Sequence, residues 1–318
     1  MHYPELAAER DAWILAQRPP RNQLDPLLPL AFLLEEERNA SGEIVPVATI
    51  FLTNRECPWR CLMCDLWRNT LPGETPRGSI PAQIEYALQR LPAARQIKLY
   101  NSGSFFDRKA IPLEDHAAIV GLLSGFERVI VECHPALVGE DCLRFRDQLG
   151  SRLEVAMGLE TIHPQVLEKL NKRMTAAQFA AAADRLRAND IDLRVFILVQ
   201  PPFMPASEAL TWAARSLDYA FDCGATAATV IPTRAGNGAM EVLAAQGDFL
   251  PPTLATLEAA AAYGVGLARG RVFADLWDIG PIATCASCRD DRIARLSRMN
   301  LEQCILPAIA CDSCGGKS

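Results

Sequence analysis

The sequence predicts an α/β fold in which a parallel sheet is covered by helices, and three observations carry that reading. Six apolar, β-branched runs recur along the chain. Segments with helical periodicity fill the intervals between them. The runs are apolar along their whole length, as strands buried on both faces are. A closed or partly open barrel and a flat doubly wound sheet share this pattern, and in either one ligands gather at the C-terminal ends of the strands.

In chain order, a short amphipathic helix is expected at about residues 3–17, followed by the proline-rich connector RPPRNQLDPLLPL, which reads as extended. The strands are VPVATIFLT (45–53), QIKLYNS (96–102), RVIVEC (128–133), LEVAMGLE (153–160), LRVFILVQ (193–200) and ATAATVIPT (225–233). Between them SIPAQIEYALQRL, PLEDHAAIVGLLSGF and TAAQFAAAADRLRAND open on Ser, Pro or Thr and carry apolar residues at i, i+3 and i+4, which predicts helices. The stretch IPTRAGNGAMEVLAAQGDFLPP reads as a loop carrying Arg234 at the same end of the sheet. A helix is expected in LPPTLATLEAAAAYGVGLARG, then the short run RVFADLWD, and from residue 285 the chain is rich in cysteine. The division that follows is a helix and connector at 1–44, a core domain at 45–280 and a cysteine-rich C-terminal metal module at 281–318.

Half of the 318 residues are hydrophobic, enough for a large core, and the formal net charge of −6 argues against a general affinity for the nucleic-acid backbone. No apolar run reaches the roughly 18 residues of a membrane span, and MHYPELAAERDAW has no basic stretch leading into an apolar one. The expectation is a cytoplasmic protein with no membrane partner. Eleven cysteines, seven of them in C-x2-C or C-x3-C spacing, favour metal ligation over a disulfide framework.

The first cluster lies where the first predicted strand ends, in TNRECPWRCLMCDLWRNT (53–70). Cys57, Cys61 and Cys64 stand at C-x3-C-x2-C with no fourth cysteine nearby. Three soft thiolates suit zinc or an iron-sulfur cluster. A four-iron cube held this way keeps one iron without a protein thiolate, open to another ligand.

This stretch resembles the radical S-adenosylmethionine (SAM) superfamily, whose signature is C-x3-C-x-Φ-C just after the first barrel strand; Met63 stands here at the position that is often aromatic. The resemblance implies a partial (β/α)6 TIM-like barrel of parallel strands with the small cysteine-rich module appended. It implies a [4Fe-4S] cluster on Cys57, Cys61 and Cys64, and SAM chelated at the open iron. Reductive cleavage of SAM then yields a 5'-deoxyadenosyl radical that abstracts hydrogen from a substrate. An electron donor such as a flavodoxin or ferredoxin is implied as partner.

Later strand ends extend the resemblance. The family carries a Gly-Gly-Glu-like motif for the SAM amino group where Asn101, Ser102, Gly103 and Ser104 stand in LYNSGSFFD. The stretch MGLETIHPQVLEKLNKRMT is similar to archaeosine-biosynthesis radical SAM proteins and the Elongator catalytic subunit, which places Glu160 toward the ribose hydroxyls and Lys172, or Arg173 in its stead, toward the SAM carboxylate. In FILVQPPFM the same likeness puts Val199 near the adenine. Glu132, Cys133 and His134 end the third strand in VECHP and face the expected site. The catalytic residues stay unassigned. The substrate implied is a small molecule or a nucleoside within tRNA. A reading from a different class, a non-catalytic iron-sulfur electron-transfer or structural protein, requires a fourth protein ligand, for which Cys133, Cys142 and Cys223 are the candidates.

Near the C-terminus, Cys285 and Cys288 form one C-x2-C pair and Cys311 and Cys314 another, with Cys304 between them on an apparent helix. Zinc and an auxiliary iron-sulfur cluster both accept such a set.

Overall fold

The computed structural model describes residues 2–314; Met1 and residues 315–318, the last four of the expected terminal module, lie outside the described residues. The chain opens with α1 (Ala7–Gln17), shorter than expected, and the connector leads into β1 (Ala31–Arg38), a strand that was not expected. The six expected strands follow as β2 (Ile44–Leu52), β3 (Gln96–Asn101), β4 (Arg128–Glu132), β5 (Arg152–Glu160), β6 (Asp192–Val199) and β7 (Ala227–Pro232). The run RVFADLWD contributes one more, β8 (Arg271–Ala274).

The crossover helices are α2 (Ser79–Leu88), α3 (His116–Leu123), α4 (Glu140–Gln148), α5 (Pro164–Lys169), α6 (Ala176–Arg187), α7 (Ala209–Asp222), α8 (Ala239–Gln246) and α9 (Leu254–Gly266), and α10 (Arg289–Glu302) closes the order. The stretch read as a loop after the sixth strand thus contains α8. Helix starts follow their side-chain chemistry. Thr175 and Gln178 form a reciprocal capping box at α6, and Thr253 accepts from the Thr256 amide at α9.

All eight strands form one sheet in sequence order; β1 pairs antiparallel with β2, and every later pair is parallel. The sheet curls into a partial barrel. Residues on alternate positions, such as Val129 and Val131, Val155 and Met157, and Val195 and Ile197, pack into the main core with the helices. The other face lines the barrel interior in layers. At the bottom, Glu154 takes ion pairs from Arg128, Arg194 and Arg271 at 2.9, 2.6 and 3.1 Å. Glu37 on β1 completes the layer with Arg194 and with Lys98 at 2.6 Å. Above it Phe51, Tyr100 and Phe196 meet edge to face and form an aromatic floor. Only the C-terminal ends of the strands remain open above that floor.

Helix α10 packs on both β1 and β8, the two edges of the open sheet. Its Asn300 and Gln303 side chains substitute for a neighbouring strand. Asn300 bonds the Ala274 amide and carbonyl, and Gln303 bonds those of Val272, at 2.7–2.9 Å. Among the described residues no helix is long and apolar enough to cross a membrane.

Burial opposes the charge of Glu154, but Arg194, Arg271 and Arg128 outweigh it and hold its carboxyl below the usual range; Arg194 and Lys98 do the same for Glu37. Because both folded-state values are lowered, their contribution to stability is complete above the unfolded value of about 4.3 and is lost as pH falls through the folded values. The urea midpoint is therefore expected to fall below about pH 4. Glu154→Gln leaves three guanidiniums facing a neutral amide, and should cost about 3–5 kcal/mol at neutral pH with a shallower acid limb. Urea melts of both proteins across pH test this.

Candidate functional site

The segment between β2 and α2 that carries Cys57, Cys61 and Cys64 has almost no regular structure, and side chains from distant parts of the chain hold it by its carbonyls and apolar anchors. Leu62, between two of the cysteines, is fully buried among Tyr3, Trp13, Ile14, Met240 and Leu243 of α1 and α8 and their flanks. Its amide donates to the Leu170 carbonyl at 2.9 Å. Asn237 donates to the carbonyls of Leu62 and Cys64, and Asn171 donates to that of Arg60. Arg18, Arg21 and Arg60 converge on the buried carboxylate of Glu56, which ties the N-terminal connector to the base of the loop.

Burial pushes the thiols of Cys57, Cys61 and Cys64 up to about 12, so each stays protonated unless positive charge is brought to it. Lys172 is the nearby cation. It favours the anionic form of Cys57 and Cys61 and ion-pairs with Glu160. Burial works against the Lys172 charge, but Glu160 together with Cys61 and Cys57 outweighs it, and the Lys172 pKa is raised. Glu160 sits at the end of β5 beyond an irregularity in the strand register, with φ of 65°, a left-handed conformation that costs energy for a side chain of its kind. The pair depends on Gly158. A Cβ there would lie 2.1 Å from Glu160 Oε1 and 2.3 Å from Lys172 Nζ.

His134 at the end of β4 connects the loop to Lys172. Its ring stacks on Trp59 of the CPWRC stretch with centroids 3.7 Å apart. Nδ1 accepts from the Ala136 amide, so the proton is on Nε2, which meets the Lys172 carbonyl at 3.1 Å. Burial lowers the His134 pKa to about 4, and the ring is neutral near pH 7. Glu132 is partly buried at the end of β4; burial raises it to about 8 against the bond that it accepts from the Asn101 amide. It holds its proton near neutrality until a cation is placed beside it.

Of the expected loop residues, Asn101 is 2% exposed and both polar atoms of its side chain have no hydrogen-bond partner among the described residues. Gly103 leans on Cys57, whose Cβ would be 3.2 Å from an added Cβ. The Ser102 amide bonds Asn54, and the Ser104 hydroxyl accepts from the His134 amide at 2.8 Å. Glu160 and Lys172 thus stand beside the cysteine loop, whereas two other expected residues do not. Arg173 is turned outward, with its guanidinium on the Ala7 carbonyl and Asp11. Val199 is packed in the helix-facing core, because strand parity sends its neighbour Leu198 to the mouth instead. Cys133 and Cys142 are likewise in that core and Cys223 packs against it, which leaves the three loop thiols without a fourth among the described residues. Trp59 and His134 form a contact that the sequence did not signal.

A cavity of about 180 Å³ opens beside the loop over β6 and β7, lined by Met63, Leu198, Ile231, Arg234 and Trp277 among others. The four cysteines 285, 288, 311 and 314 gather in a separate cluster, and Cys304 is exposed with its thiol on Glu302, outside that cluster.

No protein-family model matches the chain. Over 71% of its length it is 25% identical to an uncharacterized protein of Methanocaldococcus jannaschii, of which it covers 66%. Over 67% of its length it is 26% identical to archaeosine synthase subunit beta of Methanosarcina acetivorans, of which it covers 65%. The chain thus spans about two thirds of the length of these relatives. Among solved structures, methylornithine synthase superposes with a TM-score of 0.53 over 80% of this chain and 69% of that one, at 13% identity, and shares the partial-barrel fold. The archaeosine-group resemblance read from the strand-end motifs is found again in these relatives.

Gly158→Ala should force the Glu160–Lys172 pair apart and destabilise the fold by about 3 kcal/mol. Gly125→Ala, where an added Cβ meets nothing within 4 Å, should change stability by less than about 1 kcal/mol. Urea denaturation of the two variants side by side measures the contrast.

Proposed function

We propose that the chain is a radical SAM enzyme. The observation that carries this reading is the set of three half-buried cysteines on one irregular loop at the open end of the barrel, with no fourth thiol joining them among the described residues and a lysine–glutamate pair beside them. The residues present fit a [4Fe-4S] cluster and SAM. Cys57, Cys61 and Cys64 would hold the cluster, and the positive charge of Lys172 offsets thiolate charge that burial alone would suppress. The unpartnered amide of Asn101 and the carboxyl of Glu132 offer polar contacts to a zwitterionic ligand. When bound, the cluster and SAM supply reductive cleavage to a 5'-deoxyadenosyl radical, which takes a hydrogen atom from substrate.

The chain's own residues bind, orient and exclude water. Lys172 engages Oε1 of Glu160, and a carboxylate has about four lone-pair sites, so the pair can keep its bond while Glu160 accepts from a diol. His134, clamped between Trp59 and the Lys172 carbonyl, fixes where that ammonium stands. The aromatic floor of Phe51, Tyr100 and Phe196 closes the site from below and keeps water out of it.

For the substrate we take a nucleoside within tRNA. This rests on the likeness to archaeosine synthase subunit beta and on the cavity over β6 and β7, where the exposed Trp277 offers a stacking face and Arg234 a guanidinium that already pairs with Asp275. Binding of tRNA that weakens with added salt agrees with it; absence of binding moves the substrate to a small molecule.

The reaction is tested on anaerobically reconstituted protein reduced with dithionite and given SAM. 5'-Deoxyadenosine is expected, and Cys61→Ala should reduce its formation at least about 100-fold, about 2.7 kcal/mol of barrier. A cluster-loaded protein that forms no product, and whose electron paramagnetic resonance signal does not respond to SAM, would place the chain among electron-transfer or structural iron-sulfur proteins.

A further inference from the structure

The four terminal thiols differ in geometry from the three at the barrel mouth. The Sγ atoms of Cys285, Cys288, Cys311 and Cys314 all lie within 4.8 Å of one another. Cys285 is 3.8 Å from Cys311 and Cys288 is 3.6 Å from Cys314. Four thiolates placed tetrahedrally on one ion, with metal–sulfur bonds of about 2.3 Å, stand about 3.8 Å apart. A four-iron cube binds each thiolate at a different corner, so its own width is added to every separation and this set is too tight for it.

The two loops are also alike in sequence, Cys-Ala-Ser-Cys and Cys-Asp-Ser-Cys, and they face each other residue for residue. Ser287 Oγ lies 3.1 Å from Ser313 Oγ between the two cysteine pairs. We propose that Cys285, Cys288, Cys311 and Cys314 bind one Zn²⁺ in a closed tetrathiolate site, which leaves no position open for substrate and is structural.

The surroundings suit that charge. Four thiolates on a divalent ion leave an excess of about two negative charges. Arg292 interacts with Cys288 and is held by Glu258 of α9, which Arg295 reaches at 3.3 Å. Arg295 also donates to the carbonyls of Leu306 and Pro307 at 2.7–3.1 Å and so guides the returning chain toward the second pair. Cys288 immediately precedes α10, while the segment from 304 to 310 has no helix or strand of its own. The ion cross-links that segment to the start of the helix whose far end covers the edge of β8.

The inference does not depend on the reading of the cysteine loop, and metal analysis of the full chain separates the two. Purified protein should carry about one zinc per chain. Cys311→Ser should lower zinc at least about tenfold while iron bound through Cys57, Cys61 and Cys64 is unchanged. Protein produced in cobalt-supplemented medium should show the intense visible bands of tetrahedral Co(II) with thiolate charge-transfer absorption, a test on the unaltered sequence that survives any folding defect of the variant. Iron that falls by about four per chain in Cys311→Ser would overturn the proposal in favour of an auxiliary cluster. Unaltered protein that carries a single iron here, no metal, or Co(II) with only weak six-coordinate bands would overturn it as well.

Discussion

One carboxylate determines the shape of this sheet. Glu154 lies on β5 with no exposed surface, and it is reached by arginines from β4, β6 and β8. The first two are on neighbouring strands, but β8 is three strands away. In a flat sheet it would stand about 14 Å off, so contact at 3.1 Å requires the sheet to curl. Arg194 makes the same demand from β6 by reaching Glu37 on the opposite edge strand. The charges offset one another only in the curled form. Their contribution is therefore to specificity: apolar residues could fill the same volume at lower desolvation cost, but would not select which strands meet across the interior.

This bottom layer leaves one end of the barrel for chemistry. Parallel strands place all their C-terminal ends at that mouth, where the chain must leave β2 and carry three cysteines in a conformation that no backbone ladder supports. The solution is side-chain amides. Asn54, Asn171 and Asn237 satisfy backbone groups of the loop and its neighbour at residues 101–104, as a strand or helix would elsewhere. Strain is located in the same place. Glu160 and Gln200 have left-handed φ at or just beyond the ends of β5 and β6, and Asn171 has it just after α5.

The parallel core was legible because strands buried on both faces are written as uninterrupted apolar runs, and the six runs became β2 to β7. Strand β1 was not legible for the opposite reason. AFLLEEER turns Glu35 and Glu37 into the barrel, and such acids read as a solvated turn until their partners Lys98 and Arg194 are known from the fold. At the site, spacing marked Cys57, Cys61 and Cys64, and the family resemblance pointed to Glu160 and Lys172. Neither could resolve parity. Whether Val199 or Leu198 faces the mouth depends on a single residue of register that only the assembled sheet supplies, and whether Lys172 or Arg173 points inward depends on the path of the chain between α5 and α6. The Trp59–His134 stack joins two loops distant in sequence and left no local pattern to read.

An open barrel must also solve the problem of its edges. Strand β1 lies antiparallel on one side, and on the other β8 has only four residues, too few to be secure alone. Helix α10 resolves this with two amide side chains, Asn300 and Gln303, that reproduce the hydrogen bonds of a missing strand, while Arg38 of β1 reaches the carbonyl of Leu301. The covering of the edge is thus only as firm as the placement of α10. The contacts of that helix with the strands are made by its C-terminal half, whereas its first turn is exposed, apart from the cysteine cluster and the bridge from Arg292 to Glu258. Holding the N-terminal end of α10 at the cysteines keeps the helix from pivoting about its far end. In this way a cluster outside the barrel bears on the sheet whose open mouth holds the other three thiols.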